Sequence, residues 1–213
     1  ERLFGEPLTE DSFTRHIDRW MKDEGQYAGQ LRTAAHYAAW AALTAQGRAK
    51  HRGGVLFRVP HKLDMEHLVD VFIDTSSGVP TFRLEEQELR RRDGFGLTDA
   101  GMDLGRALDQ AHYCIKCHNQ GKDSCSTGLR EAGGALFKKS VFGVPLAGCP
   151  LGEKISEMQT VMQQGCAVGA LAIITIDNPL VAGTGHRICN DCMKSCIYQK
   201  QDPVDIPQVE TRV

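Results

Sequence analysis

Eight cysteines are the residues of this sequence best suited to chemistry, and all of them lie in the second half of the chain. They fall between Cys114 and Cys196, and the first 113 residues contain none. Two groups are recognisable, each built on a CxxC pair with one further cysteine nearby. The first group is Cys114, Cys117 and Cys125, followed later by Cys149-Pro150, and the second is Cys189, Cys192 and Cys196.

This pattern is typical of cysteines that bind iron–sulfur clusters. A [4Fe–4S] cube presents four iron corners, and each corner takes one soft thiolate ligand. A CxxC turn brings two thiolates to neighbouring corners, a nearby cysteine supplies the third, and a distant Cys-Pro often supplies the fourth. In proteins with two clusters that distant cysteine ligates the other cluster. The sequence therefore predicts two [4Fe–4S] clusters.

Zinc is the main alternative, because two CxxC pairs also match a four-cysteine zinc site. That interpretation leaves four cysteines without a role, namely Cys125, Cys149, Cys166 and Cys196. A disulfide framework is disfavoured because it needs an oxidising compartment and no export signal is visible. A thioredoxin-like CxxC is also disfavoured, because no βαβ pattern surrounds either pair.

Charge and hydrophobicity exclude several classes of partner. The chain has 213 residues, and its 25 Lys and Arg against 27 Asp and Glu give a net charge of −2. Nothing in this balance indicates a nucleic-acid partner. No apolar run approaches the ~20 residues that span a bilayer, so we expect no membrane span and a cytoplasmic location. The start at Glu1, without Met, is interpreted as a cut inside a longer chain.

The spacing of apolar residues predicts a mainly α fold with short β segments. Two domains are expected, an N-terminal α+β region over residues 1–110 and a cluster-binding domain over residues 111–213. The tail after Cys196 is predicted to be extended, and Gly47 is predicted to end a helix. Helices are predicted over residues 11–23, 27–46, 98–111 and 151–164, and short strands over 54–59, 69–73 and 81–84. Residues 167–176 form a further apolar segment, and Pro179 is expected to stop any helix there.

Residues 111–213 also carry four sequence blocks in a recognisable order. The blocks are Cys114-Ile-Lys-Cys117 with Cys125; Gly148-Cys149-Pro150-Leu151-Gly152 with Ile155; Gly185-His186-Arg187-Ile188-Cys189 with Cys192 and Cys196; and Pro203-Val204-Asp205-Ile206 ending at Glu210. This half of the chain resembles the N-terminal, helical ferredoxin-like domain shared by the glutamate synthase small subunit and dihydropyrimidine dehydrogenase. The resemblance implies a helical domain that holds two [4Fe–4S] clusters.

The resemblance also implies which residues bind each cluster. One cluster takes Cys114, Cys117, Cys125 and Cys196, and the other takes Cys149, Cys189, Cys192 and the carboxylate of Glu210. A carboxylate is a harder ligand than a thiolate, so it would tune the potential of its cluster. The chain departs from the family in the insertion over residues 126–148 and in the short spacing of the second CxxC. Cys166 is expected to be a buried free thiol, and His186 to hydrogen-bond backbone or a cluster sulfur.

The function implied by the resemblance is electron transfer within a flavin-dependent NAD(P)H oxidoreductase. No GxGxxG occurs in these residues, so FAD and NAD(P)H are expected in a partner subunit or in a further part of the same chain. We see no acid, base or nucleophile constellation, so we expect no substrate turnover by this chain alone. The alternative is a structural or interaction domain stapled by zinc or by clusters, without redox turnover.

Overall fold

Helices make up about half of the residues that the structure describes, and strands only a small part. The computed structural model describes residues 3–59, 64, 66–69, 71–86, 89, 91–96, 100–185 and 188–213. The predicted mainly α fold with short β segments is confirmed. The described elements are α1 (Glu10–Trp20), α2 (Glu24–Leu43), α3 (Ala45–Lys50), β1 (Phe72–Asp74), β2 (Thr81–Arg83), α4 (Leu104–Tyr113), α5 (Ser124–Thr127), α6 (Ile155–Gln163), α7 (Ala167–Asp177), α8 (Val181–Thr184), α9 (Asp191–Ser195) and α10 (Ile206–Arg212).

The contacts group the chain into two compact units, one of residues 61–101 and one of residues 1–60 with 102–213. The smaller unit contains β1 and β2, paired antiparallel with Ile73 opposite Phe82. The strand predicted over 69–73 thus begins later, at Phe72, and the strand predicted over 81–84 is present. The predicted domain boundary at residue 110 stays a prediction.

In the larger unit, α1 begins with a reciprocal cap between Thr9 and Ser12, whose side chains each accept the other's backbone N–H. The prediction that Gly47 ends a helix is wrong. Thr44 makes the break instead, because its hydroxyl accepts the Gly47 N–H at 2.9 Å and starts α3. Gly47 lies buried inside α3, where a Cβ atom would lie 2.3 Å from the Trp40 carbonyl oxygen.

The strand predicted over residues 54–59 is also absent from this described segment. The backbone N–H groups of Val55 and Leu56 each donate at 2.9 Å to Oε2 of Glu10, which is buried in α1. A buried carboxylate therefore takes the hydrogen bonds that a neighbouring strand would have taken. Phe13, Trp20 and Phe57 form the aromatic core of this part of the unit.

The main core lies among α4, α6, α7 and α10. Its fully buried side chains include Ile155, Met158, Met162, Ile174 and Val209. The helix predicted over 151–164 begins only at Ile155, because Gly152 precedes it with a φ of +64°. The apolar segment over 167–176 forms α7, which stops before the Asn178-Pro179 pair as expected.

Two further expectations about the second half need correction. The tail after Cys196 is not extended throughout, because α10 forms and packs into the core through Ile206 and Val209. Pro207 is tolerated there because it stands in the first turn, where a missing N–H costs nothing. The predicted helix start at Thr98 lies outside the described residues, and α4 is capped by Asp103, whose side chain accepts the Arg106 N–H at 2.8 Å.

The N-terminal helices pack directly on the helix that leads to the first cysteine. His112 of α4 hydrogen-bonds Oδ1 of Asp11 in α1 through Nε2, at 2.9 Å, and its side chain is almost completely buried. Burial opposes ionisation of Asp11, but its hydrogen bonds with His112 and Arg15 outweigh that effect and lower its pKa. Within the described part of the chain, no helix is both long and apolar enough to cross a membrane.

Candidate metal centre

The segment from Cys114 to Cys125 turns twice through left-handed backbone. Lys116 has a φ of 51° and Asp123 a φ of 31°, and they are the non-glycine residues with positive φ in the part of the chain that the structure describes. Such conformations are costly for residues with a Cβ and persist where surrounding contacts enforce them. The turn at Lys116 lies between the two cysteines of the CxxC pair, and the turn at Asp123 leads into α5, which carries Cys125.

Cysteines from two separate segments line one small cavity. Its floor and walls include the buried apolar side chains of Ile155, Val204 and Ile206. Three of the cysteines come from the 114–125 segment, and the last follows α9 at the other end of the domain. The cysteines on this cavity are Cys114, Cys117, Cys125 and Cys196, the set that the sequence resemblance assigns to one cluster.

Two glycines allow the loop of Cys149 to lie against the loop of Cys125. Gly128 and Gly148 both have positive φ, and a Cβ on either would lie within 2.7 Å of the opposite backbone. The close approach lets the Cys149 N–H donate to the Cys125 carbonyl at 2.8 Å. The Gly148 N–H donates to Oγ of the fully buried Ser195 in α9 at 2.9 Å. These bonds join the loops that carry both cysteine groups.

Backbone N–H groups donate to several of the cysteine sulfurs. Cys114 accepts from Lys116, and Cys196 accepts from Tyr198 and Val204. Cys149 accepts from Leu151 and Glu153, and Cys192 accepts from Met193. Hydrogen bonds to sulfur stabilise thiolate over thiol, and they are one of the means by which proteins set cluster potentials.

A second group of candidate ligands lies around Cys149 and Cys192. Oε2 of Glu153 is 3.4 Å from the Cys149 sulfur, and Glu153 also hydrogen-bonds the carboxyl of Glu210. Burial raises the pKa of Cys192, and the charge of Glu210 raises it further. Burial and the neighbouring Glu153 raise the pKa of Glu210 to about 9. Cys149, Cys192 and Glu210, three of the residues expected at the second cluster, are therefore neighbours.

Three other residues singled out in the sequence are Cys189, His186 and Cys166. Cys189 is exposed, and its assignment to the second cluster stays a prediction. His186 lies outside the described residues. Cys166 is exposed rather than buried, so the expectation of a buried thiol is wrong. The reason is its place in the turn between α6 and α7, directly before the first residue of α7.

Burial favours the neutral form of four of the candidate ligand thiols. Burial raises the pKa of Cys114, Cys125 and Cys196, and it raises the pKa of Cys149 to about 11. Without a cation these groups are neutral at physiological pH, whereas a coordinated thiol is deprotonated outright. The cavity lined by Cys114, Cys117, Cys125 and Cys196 is where one cluster is expected, and the presence of that cluster stays a prediction.

Among the described residues, no three His, Cys, Asp or Glu side chains converge on a point where they could hold one metal ion. A zinc site needs four ligands at about 2.0–2.3 Å from a single ion, whereas a cube takes one thiolate at each of four corners. The iron and zinc content of the protein therefore has to distinguish an iron–sulfur cluster from a zinc site, and each stays a prediction.

Sequence reasoning missed Glu153 and Ser195 as parts of this region. Glu153 follows Cys149 by four residues, at the end of a Pro-Leu-Gly turn, and only the fold shows that its carboxyl meets Glu210. Ser195 stands between Cys192 and Cys196 in α9, and its partner Gly148 is far away in the sequence. Neither contact has a local signal in the sequence.

Comparison with known proteins identifies two similar chains and no family. The uncharacterized protein RP005 of Rickettsia prowazekii (strain Madrid E) is 30% identical over 175 residues, which cover 76% of this chain and 56% of RP005. The uncharacterized protein RP006 of the same organism is 71% identical over 34 residues, which are 16% of this chain and 5% of RP006. This chain thus spans just over half the length of RP005. No protein-family model and no solved structure matches it.

Proposed function

We propose that this chain is the iron–sulfur electron-transfer module of a larger flavin-dependent NAD(P)H oxidoreductase. The observation that carries the proposal is the cavity lined by Cys114, Cys117, Cys125 and Cys196. Cys196 is distant in the sequence from the other three, and ordinary packing gives no reason for four thiols to meet. Four cysteine thiolates are the ligands that a [4Fe–4S] cluster requires.

In this proposal the residues of the chain have three tasks. The four cysteines of the cavity hold one cluster, and Cys149, Cys189, Cys192 and Glu210 hold the other. Apolar side chains such as Ile155, Val204 and Ile206 exclude water from the first site. Backbone N–H groups that donate to sulfur stabilise the thiolates. When bound, the clusters supply one-electron transfer at potentials set by ligands, burial and hydrogen bonds.

Contacts between the segments that carry the two expected ligand sets support electron transfer between the clusters in this proposal. Cys125 and Cys149 are expected to bind different clusters, yet their backbones share a hydrogen bond of 2.8 Å. Cys192 and Cys196 are also expected to bind different clusters, and they lie one helical turn apart at α9. A flavin that accepts hydride from NAD(P)H gains two electrons, which it would release singly through this chain to an acceptor. The flavin and nicotinamide sites belong to the partner or to the remainder of the protein.

The second candidate function is a structural or interaction domain stapled by metal. The hydrogen bonds among the α5, Cys149 and α9 loops favour it, because metal bound there would hold these short elements together. Metal-binding free energy contributes directly to folding in such sites. A staple needs no accessible redox couple, whereas an electron carrier must be reduced and reoxidised reversibly.

Reductive titration of the chain purified without oxygen tests the proposal. Visible absorbance and electron paramagnetic resonance (EPR) should follow two reversible one-electron steps. The Cys117→Ser variant should lose one step and about half of the iron, about four atoms, because a cube then lacks a corner ligand. Cys166→Ser is the matched control, because its thiol is exposed and away from both groups. A wild-type chain that shows no reversible step refutes electron transfer and leaves the structural role.

A further inference from the structure

A turn in the inserted loop over residues 126–148 presents two large apolar side chains to solvent. The turn is closed by the Gly143 N–H, which donates to the Ser140 carbonyl at 2.9 Å. Its two central residues are Val141, which is 69% exposed, and Phe142, which is 70% exposed. Neither packs against the core clusters of the described chain. Turns usually carry Gly, Pro, Asn, Asp or Ser, so packing and turn chemistry leave this apolar pair unexplained.

Hydrogen bonds hold the turn in place without help from its exposed side chains. Oγ of Ser140 accepts the N–H groups of Phe142 at 3.3 Å and Val144 at 3.2 Å. The Ser140 N–H also donates to the Val144 carbonyl at 2.8 Å. The N–H of Leu146, whose side chain is buried, donates to the Lys138 carbonyl at 2.8 Å. The turn is therefore ordered before it binds anything, and little entropy is lost when it does.

Basic side chains lie beside the apolar pair. Lys138 and Lys139 directly precede the turn, and both are exposed. The inserted loop has one acid, Glu131, against Arg130 and the two lysines, although the net charge of the whole chain is −2. Glu131 belongs to an earlier turn, in which the Gly134 N–H donates to its carbonyl at 2.9 Å. Positive charge is thus concentrated next to the exposed apolar residues, where it complements an anionic surface.

We infer that the turn of residues 140–143 binds the surface of a membrane that contains anionic lipids. Val141 and Phe142 enter the boundary between headgroups and acyl chains, and Lys138 and Lys139 attract the anionic headgroups. Binding of this kind takes place at the interface and needs no helix that crosses the bilayer. The inference goes beyond the proposed function, and it does not require a bound cluster.

The small size of the apolar group favours a lipid surface over a protein partner. Specific protein interfaces bury about 800 Å² on each partner and involve about 20–30 residues a side. Two apolar side chains on one short turn supply only a small part of that area. A lipid surface needs no complementary pocket, because its affinity grows with the buried apolar area and with the attraction between basic residues and anionic headgroups.

Sedimentation with vesicles tests the inference on the chain purified without oxygen. The probes are vesicles of phosphatidylcholine with about 30% phosphatidylserine, and vesicles of phosphatidylcholine alone. Wild type should bind the anionic vesicles, more weakly as salt is added, and should bind the neutral ones at least about tenfold less. Phe142→Ser should lower the partition coefficient about tenfold. The double variant Lys138→Ala with Lys139→Ala should lower it about twentyfold at low salt.

Matched controls remove the same types of side chain outside the loop. Val168→Ser removes a side chain of α7 that is 79% exposed, and Lys22→Ala with Lys200→Ala removes two exposed lysines. Both controls should bind anionic vesicles as wild type does. All variants should keep the circular dichroism spectrum and melting temperature of wild type, because the substituted side chains are exposed. Equal losses in the controls and in the loop variants would overturn the inference, since they would indicate non-specific adsorption.

Fluorescence gives a second readout that does not depend on a loss of binding. The indole introduced by Phe142→Trp should be quenched by lipids that carry bromine on their acyl chains, after subtraction of the wild-type signal from Trp20 and Trp40. An indole that is not quenched would contradict insertion of the turn. Wild type that stays unbound to anionic vesicles overturns the inference and assigns the turn to a protein interface. The proposed function fails separately, by the absence of reversible cluster reduction.

Discussion

Replacing Asp109 with Asn should stabilise the protein above neutral pH and have little effect in acid. Asp109 lies in α4, half-buried, and burial raises its pKa from 3.8 to about 7, helped by the charges of Glu10, Asp11 and Asp103. The raised value depends on α1 packing against α4, because Glu10 and Asp11 belong to α1. The substitution therefore tests whether the N-terminal helices pack on the helix that leads to Cys114.

The sign and size of the stability change in Asp109→Asn follow from proton linkage. The unfolded chain releases the Asp109 proton near pH 4 and the folded chain near pH 7, so the folded state binds more protons between these values. Stability contributed by this group is thus lost as pH rises from about 4 to about 7, and the penalty is constant above that. At about 1.4 kcal/mol per pKa unit, the loss of folding free energy caused by ionising Asp109 is at most about 4 kcal/mol. Because the carboxyl is half-exposed, solvent screening reduces it to ~1–2 kcal/mol.

Thermal unfolding followed by circular dichroism, from about pH 4 to about pH 8.5, measures the change in stability. One kcal/mol shifts the melting temperature of a chain this size by roughly 2–4 °C, so Asp109→Asn should gain several degrees over wild type as pH rises to about 7.5. Asp93→Asn removes an exposed carboxyl and is the control, with a difference from wild type that does not vary with pH. An Asp109→Asn difference equally flat across this range would refute the described packing of α1 on α4.

Three other substitutions test separate parts of the structure. Met158→Ala removes a fully buried core side chain and should lower the free energy of unfolding by about 2–5 kcal/mol in denaturant titration; a loss below about 1 kcal/mol would contradict its burial. Gly47→Ala places a Cβ atom 2.3 Å from the Trp40 carbonyl oxygen and should cost about 1–3 kcal/mol, whereas a stabilised variant would refute the described packing of α3. Cys166→Ser should change stability by less than about 0.5 kcal/mol, and a large loss would show that its thiol is not exposed.

Local periodicity was enough to predict the long helices and the mainly α fold. The apolar spacing of α1 and α7 and the Asn178-Pro179 stop are local signals, and the structure follows them. Expectations failed where a distant residue decided the local structure. Residues 54–59 look like a strand, but Glu10 takes their backbone hydrogen bonds. The residues after Cys196 look extended, but the core formed with α4 and α6 makes α10 a buried helix.

The candidate site could likewise be predicted where its signals are local in the sequence and not where they depend on distant contacts. The two CxxC pairs and the Cys-Pro are visible in the sequence, and the family resemblance suggests how their cysteines group. The sequence cannot show that Gly128 and Gly148 let two loops touch, because the pair is defined by contact across twenty residues. It also cannot show that Glu153 and Glu210 meet, because each carboxylate alone reads as an ordinary surface charge.

Iron and acid-labile sulfide content, measured with the visible spectrum on chain purified without oxygen, tests the central claim most directly. The account predicts about eight iron and about eight sulfide per chain, with a broad brown absorbance that dithionite bleaches. A colourless chain containing about one or two zinc ions would contradict it, and would assign the cysteines to a zinc-stapled interaction domain.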